Sequence, residues 1–173
     1  MLGEGEYQMP SEHSFDFVSK INLQELRNAV QQAQKELATR FDFKGSQAKI
    51  DFQEEDGEIK LAADHSIQLK SVVDVLETKL AKRGVPLQGL AWNEPEQLPS
   101  GALKQQAKLQ QGLSSEKAKE IVKAIKEMGL KVQPRIEGDS VRVVAKKIDD
   151  LQAVMLALQR KDFGVPLQAE NYR

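Results

Sequence analysis

Apolar positions along the chain follow two rhythms that occur twice in the same order. Leu23, Leu26, Val30, Ala33 and Leu37 recur at the spacing of one helix face, and Asn22 followed by Glu25 is a capping-box start. The period then drops to two. Ile50 and Phe52 alternate with Lys49, Asp51 and Gln53, and Ile59 and Leu61 alternate with Glu58 and Lys60. Asp56-Gly57 between these runs predicts a hairpin. Leu69, Val72, Val73, Leu76 and Leu80 predict a second helix, opened by Asp64 or Ser66 and stopped at Gly84, with a strand over residues 87–92 behind it.

The order then starts again. Ala118, Ile121, Val122, Ile125 and Met128 share a helix face between Ser114 or Ser115 and Gly129. Strands follow over 130–136 and 141–146 around Gly138-Asp139, then a helix carrying Leu151, Val154, Met155 and Leu158 behind Asp149 and Asp150. The string Gly84-Val85-Pro86-Leu87-Gln88 returns unchanged as Gly164-Val165-Pro166-Leu167-Gln168, which points to a duplication. Each copy reads α-β-β-α-β, and strands over 14–19 and 103–110 are available to make each βαββαβ. The fold class is therefore α+β: a tandem pair of ferredoxin-like domains, each an antiparallel sheet with helices on one face and the other face bare. The pattern does not say which upstream strand joins which domain. The expected organisation is a leader or disordered tail over 1–8, a first domain over 9–94, a linker over 95–101 holding Pro95 and Pro99, and a second domain over 102–173.

Composition removes whole classes of function. With no cysteine there is no disulfide, thiolate metal site or cysteine nucleophile. No apolar run approaches the roughly 20 residues that span a bilayer, and no basic-then-apolar leader is present, so the cytoplasm is the expected compartment. His13 and His65 lack metal-ligand spacing, and neither a nucleophile elbow nor a glycine-rich phosphate loop occurs. These absences predict a binding protein that is not an enzyme and uses no cofactor or metal. Charge is uneven: residues 1–99 hold 11 Lys+Arg and 17 Asp+Glu, residues 100–173 hold 14 and 9.

Alternation sharpens that asymmetry. Lys131, Gln133 and Arg135 oppose Leu130, Val132 and Ile136, and Arg142 and Lys146 oppose Val141, Val143 and Ala145. Lys104 and Lys108 alternate in the same way on their strand. If the apolar sides cover the helices, the other side is a basic sheet surface suited to phosphate; a merely solvated face has the same pattern. Residues 58–62 and 141–145 carry no aromatic, so base stacking on central strands is absent. Phe15 and Phe17 fit the core, while Trp92 and Tyr172 fit either a stacking role or a buried strand end. In Arg40-Phe41-Asp42-Phe43-Lys44-Gly45-Ser46, lysine ahead of glycine-serine combines charge with close backbone approach to phosphate; a plain helix exit is the alternative.

Taken together, Ser14-Phe15-Asp16, Arg40 to Ser46, Lys131-Val132-Gln133, Asp149-Asp150-Leu151-Gln152 and Pro166-Leu167-Gln168 make the chain resemble the YajQ family of bacterial nucleotide-binding proteins. The resemblance implies a cytosolic, non-enzymatic tandem of ferredoxin-like domains that binds a purine nucleotide, cyclic diguanylate or RNA. It also implies exchanged N-terminal strands, with 15–18 completing the second domain and 103–109 the first. The candidate ligand residues are Arg40, Asp42, Phe43, Lys44 and Gly45 in one domain, and Lys131, Gln133, Arg142, Lys146 and Lys147 in the other. Ala145, Ile148 and Ala169 depart from the family's usual glycine, arginine and aromatic, and so bear on ligand preference. A nucleotide binder, in one form a cyclic-dinucleotide effector acting on a regulatory protein partner or DNA, is the leading expectation. RNA binding across a basic sheet and interdomain surface is the second, and a nucleotide-hydrolysing or phosphotransfer enzyme the third.

Overall fold

A computed structural model describes residues 12–173, so the expected leader over 1–8 lies outside the described residues. The elements are β1 (His13–Val18), α1 (Leu23–Thr39), β2 (Lys49–Gln53), β3 (Glu58–Ala63), α2 (Ser66–Lys82), β4 (Leu90–Trp92), β5 (Glu96–Gln97), β6 (Leu103–Leu109), α3 (Ser115–Glu127), β7 (Val132–Glu137), β8 (Ser140–Ala145), α4 (Ile148–Gln159) and β9 (Gln168–Glu170). The described residues divide into two compact units: residues 21–110 form one, and residues 12–20 with 111–173 form the other.

The unit of residues 21–110 carries a sheet of order β2-β3-β6-β4, with β5 also on β6 and every pairing antiparallel. Its core joins Leu26, Val30, Ala33 and Leu37 of α1 to Leu69, Val72, Leu76 and Leu80 of α2, over Ile50, Ile59, Leu61 and Ala107 of the sheet. The Asn22 side chain caps α1 by accepting the Glu25 N–H at 3.2 Å, while the Glu25 carboxylate turns to Arg83 at 3.6 Å. At α2 the cap is neither Asp64 nor Ser66. His65 accepts the Gln68 N–H through Nδ1 at 3.2 Å, and the Gln68 side chain accepts the Asp64 N–H at 2.7 Å. Asp64 is instead occupied by the N–H of Gln47 at 3.2 Å. The strand expected over 87–92 begins as a 3-10 turn, Leu87–Gly89, because Pro86 cannot donate to a ladder and the chain turns before β4.

The other unit carries a sheet of order β7-β8-β1-β9, again antiparallel throughout. Phe15 and Phe17 are fully buried and meet edge to face, with ring centroids 4.7 Å apart. They pack with Val141 and Val143 against Ala118, Ile121 and Ile125 of α3 and Leu151, Val154 and Leu158 of α4. Ser114 caps α3 by accepting the Lys117 N–H at 3.1 Å. Gly138, at φ +61°, opens the two-residue turn between Glu137 and Ser140, a backbone region that L side chains disfavour. β1 therefore sits between β8 and β9, and β6 between β3 and β4. Among the described residues no helix is long and apolar enough to cross a membrane.

Regrouping the charge by these units shrinks the asymmetry between the chain's halves. Residues 21–110 hold 12 Lys+Arg and 13 Asp+Glu; residues 12–20 and 111–173 hold 13 and 11. Lys104 and Lys108 belong to the sheet of residues 21–110, because β6 pairs there.

Candidate functional site

Cross-strand register decides which side chains share a face. On β7 and β8, Gln133 lies opposite Val144 and Arg135 opposite Arg142, on the face away from the helices. That face is not bare at its centre. Asp16 of β1, directly opposite Arg142, is only 4% exposed. Arg142 donates to Asp16 Oδ1 at 3.0 Å through Nε and lies 3.8 Å from Glu137; Asn171 donates to Asp16 Oδ2 at 2.9 Å. Burial alone would push the Asp16 carboxyl up, but the hydrogen bonds from Arg142 and Asn171 and the charges of Arg142 and Arg173 hold it below the ordinary value. Asn171, at φ +56°, makes the bend that allows this contact, and Ser14 then pairs with Arg173 through two backbone hydrogen bonds. Arg142 is thus held by carboxylates in the sheet and is not one of a row of free cations.

The other four candidates in this unit do come together. Where β7 begins and β8 ends, Lys131, Gln133, Lys146 and Lys147 line a cleft of about 470 Å³ with Glu12, Val132, Val144, Ala145 and Asp150. The three lysines are exposed, and none has an ion-pair partner among the described residues. α4 starts from the same cleft. Its cap position, Lys147, provides no side-chain hydrogen bond, and Asp149 and Asp150 occupy the first turn. Three ammonium groups without ion pairs among the described residues outnumber the Glu12 and Asp150 carboxylates in this cleft beside an uncapped helix start, with Val132, Val144 and Ala145 as its apolar wall.

In the unit of residues 21–110, the segment from Arg40 to Ala48 folds on itself. Arg40 grips Asp42 with two hydrogen bonds, 3.0 Å from Nε and 2.7 Å from Nη2, and reaches Glu36 at 3.2 Å. Its guanidinium carbon lies 4.9 Å from the Phe43 ring centroid, and Phe43 itself is buried. The Asp42 carboxyl is held below its ordinary value by the Arg40 hydrogen bond. Arg40, Asp42 and Phe43 therefore satisfy one another, while Lys44 and Gly45 are exposed. Phe41, absent from the sequence-based candidates, is 88% exposed. The signal was faint, because two phenylalanines one residue apart look alike until the direction of the turn is known.

On the sheet of the same unit, Lys49, Lys60, Lys104 and Lys108 share the face away from the helices with Asp51, Glu58 and Glu96. Trp92 packs half-buried against the core, and Tyr172 stacks on Phe15 with centroids 6.2 Å apart. No cluster of three or more His, Asp or Glu able to hold a metal occurs among the described residues.

Antiparallel sheets, four helices and a cationic cleft define a mixed α/β protein of two units. The family model described as "Nucleotide-binding protein YajQ-like" matches residues 13–173, and the chain belongs to that family. A protein of Carboxydothermus hydrogenoformans is 50% identical over 165 residues, covering 95% of this chain and all of the relative. One of Solibacter usitatus is 48% identical over 162 residues, covering 94% and 98%, and one of Chloroherpeton thalassium is 42% identical over 165 residues, covering 95% and 100%. All three are described as nucleotide-binding proteins.

Proposed function

We propose that this chain binds a nucleotide without transforming it, and that the cleft of Lys131, Gln133, Lys146 and Lys147 takes its phosphates. The carrying observation is the convergence of three unpaired lysines on an apolar-walled concavity at the start of α4. Gln133 adds a side-chain amide that can read a base edge or a ribose hydroxyl. Arg142 has a structural part, holding Asp16 at the sheet centre. The sequence departures at Ala145 and Ile148 lie at this cleft's wall and at the start of α4, and tune which nucleotide fits. We read the two units as ferredoxin-like βαββαβ domains that exchange first strands, which the places of β1 and β6 support.

Titration calorimetry with ATP, GTP, cyclic diguanylate and a short RNA tests this reading. The triple change Lys131→Gln, Lys146→Gln and Lys147→Gln should weaken nucleotide binding at least about tenfold, about 1.4 kcal/mol. Each exposed substitution should alter stability by no more than about 0.5 kcal/mol. Unchanged affinity in the triple variant overturns the assignment of the cleft. A second reading, RNA binding, is favoured by the four lysines on the sheet face of residues 21–110. It predicts that binding of the RNA falls with salt by roughly 0.7 logarithmic units per phosphate contacted, and that glutamine at Lys60, Lys104 and Lys108 flattens this slope.

A further inference from the structure

The two units provide an internal control for a segment that neither the fold nor the cleft explains. Between the first helix and the hairpin of its unit, the chain spends four residues, 128–131, in one case and nine, 40–48, in the other. The shorter connection makes the same helix-to-strand step, so the five additional residues are not required by the fold. They are nevertheless ordered by contacts of their own. The Phe43 N–H reaches Arg40 O at 3.2 Å, the Lys44 N–H reaches Phe41 O at 3.1 Å and the Ser46 N–H reaches Phe43 O at 3.1 Å. The Ser46 hydroxyl donates to Phe43 O at 2.7 Å and accepts the Ala48 N–H at 3.2 Å. Arg40 locks the turn from outside through Asp42 and Glu36, and Phe43 anchors it from below. Glu36 in turn meets Lys79 of α2 at 3.1 Å.

What this frame holds outward is Phe41, with 88% of its surface in water. Burying such a side chain is favourable, so displaying it on an ordered turn forgoes that stabilisation unless something covers the ring. Lys44 lies one turn further on, exposed and without an ion pair among the described residues. Gly45 follows at φ +74°, with nothing within 4 Å of where a Cβ would stand, so the backbone there is open to close approach. A flat apolar ring, a cation within reach and accessible backbone match the parts of a nucleotide: base, phosphate and sugar.

We propose that Phe41 is a stacking platform for a nucleobase and that Lys44, beside Gly45, meets its phosphate, giving the unit of residues 21–110 a nucleotide contact of its own. The proposal rests on the nucleotide-binding reading above. It also reassigns the segment: Arg40, Asp42 and Phe43 position the platform, and Phe41 and Lys44 touch the ligand.

The test titrates AMP, GMP and ribose 5-phosphate into the full chain, the Phe41→Ala, Phe41→Trp and Lys44→Gln variants, and the cleft triple variant. Phe41→Ala should weaken AMP and GMP about 5- to 150-fold, the range set by roughly 1–3 kcal/mol per stacked base, and leave ribose 5-phosphate unchanged. Phe41→Trp should restore binding, and its added emission should be quenched on saturation beyond any change from Trp92, the only native tryptophan. Lys44→Gln should weaken all three ligands. If Phe41→Ala binds AMP and GMP as the parent does, the stacking proposal is overturned while the nucleotide-binding reading stands. If the parent binds neither AMP nor GMP, the stacking proposal is overturned, and the nucleotide-binding reading falls with it only when ATP, GTP and cyclic diguanylate also fail to bind. If Phe41→Ala changes sedimentation and not nucleotide affinity, Phe41 belongs to a protein interface and the proposal is overturned.

Discussion

The ends of the two units where a helix hands over to the hairpin are built on one element order and finished in opposite ways. In residues 21–110 that end is filled. A nine-residue connection folds over itself, Asp64 accepts the Gln47 N–H, and His65 and Gln68 seal the start of α2. In the other unit the connection is short, α4 starts without a side-chain cap, and Lys131, Lys146 and Lys147 stand around a cleft without ion pairs among the described residues. Where the chain satisfies its own polar groups, Phe41 and Lys44 stay exposed without a partner of their own among the described residues. Where it leaves them without ion pairs among the described residues, a cleft remains, which the proposed function fills with phosphate. Similar local plans thus yield a projecting ring in one unit and a cleft in the other.

The most disruptive way to break this contrast is to remove the anchor of the filled end. Phe43→Ala should cost about 3 kcal/mol or more, measured by urea denaturation followed through Trp92 in the same unit; a loss below about 1 kcal/mol would show that the turn does not depend on that ring. Next comes Asp16→Asn, which leaves shape intact but removes the charge facing Arg142, and should cost about 2 kcal/mol. Because the folded Asp16 is held below its ordinary value, its contribution is present above the unfolded aspartate value and is lost as pH falls through the folded one. The parent's urea midpoint should therefore decline below about pH 4, and the decline should be shallower in Asp16→Asn.

Smaller effects separate the two helix starts. Lys147→Ser gives α4 the cap it lacks and should gain about 0.5–1 kcal/mol while nucleotide affinity falls; His65→Ala should lose a comparable amount with affinity retained. A Lys147→Ser protein that binds nucleotide as tightly as the parent would show that the uncapped start has no bearing on ligand. The smallest change is expected from Arg40→Gln, whose partners are the exposed Asp42 and the half-buried Glu36, both within reach of solvent screening. Its signature is local: an NMR titration should show the Asp42 carboxyl returning toward its ordinary value, because the Arg40 hydrogen bond is what lowers it.

Periodicity was enough to identify the helices and hairpins, since Val141, Val143 and Ala145 against Arg142 is a pattern that only a half-buried strand makes. It also placed Phe15 and Phe17 in a core. Three other features depended on partners distant in sequence. The Asp16 contact with Arg142 spans 126 residues, and nothing local to either marks it. His65 caps α2 because Asp64 is engaged by Gln47, a competition invisible from the string Asp64-His65-Ser66. The charge imbalance between the halves was real as composition, yet the units are not the halves. Lys131, Lys146 and Lys147 were legible as cations; their convergence on one cleft needed the pairing of β7 with β8.

The place of β1 reaches into the making of the protein. His13 pairs with Ala145, so β1 leaves the ribosome more than a hundred residues before the strand it pairs with. Residues 21–110 can close their sheet while β8 is still unsynthesised, and through that interval Phe15 and Phe17 have no core to enter. Closing so long a loop also slows the final step, since non-local pairing must bear its chain entropy before contacts form. Cutting away residues 1–20, which by position resembles trimming a tail, would remove an inner strand from a sheet whose other members come from the far end of the chain.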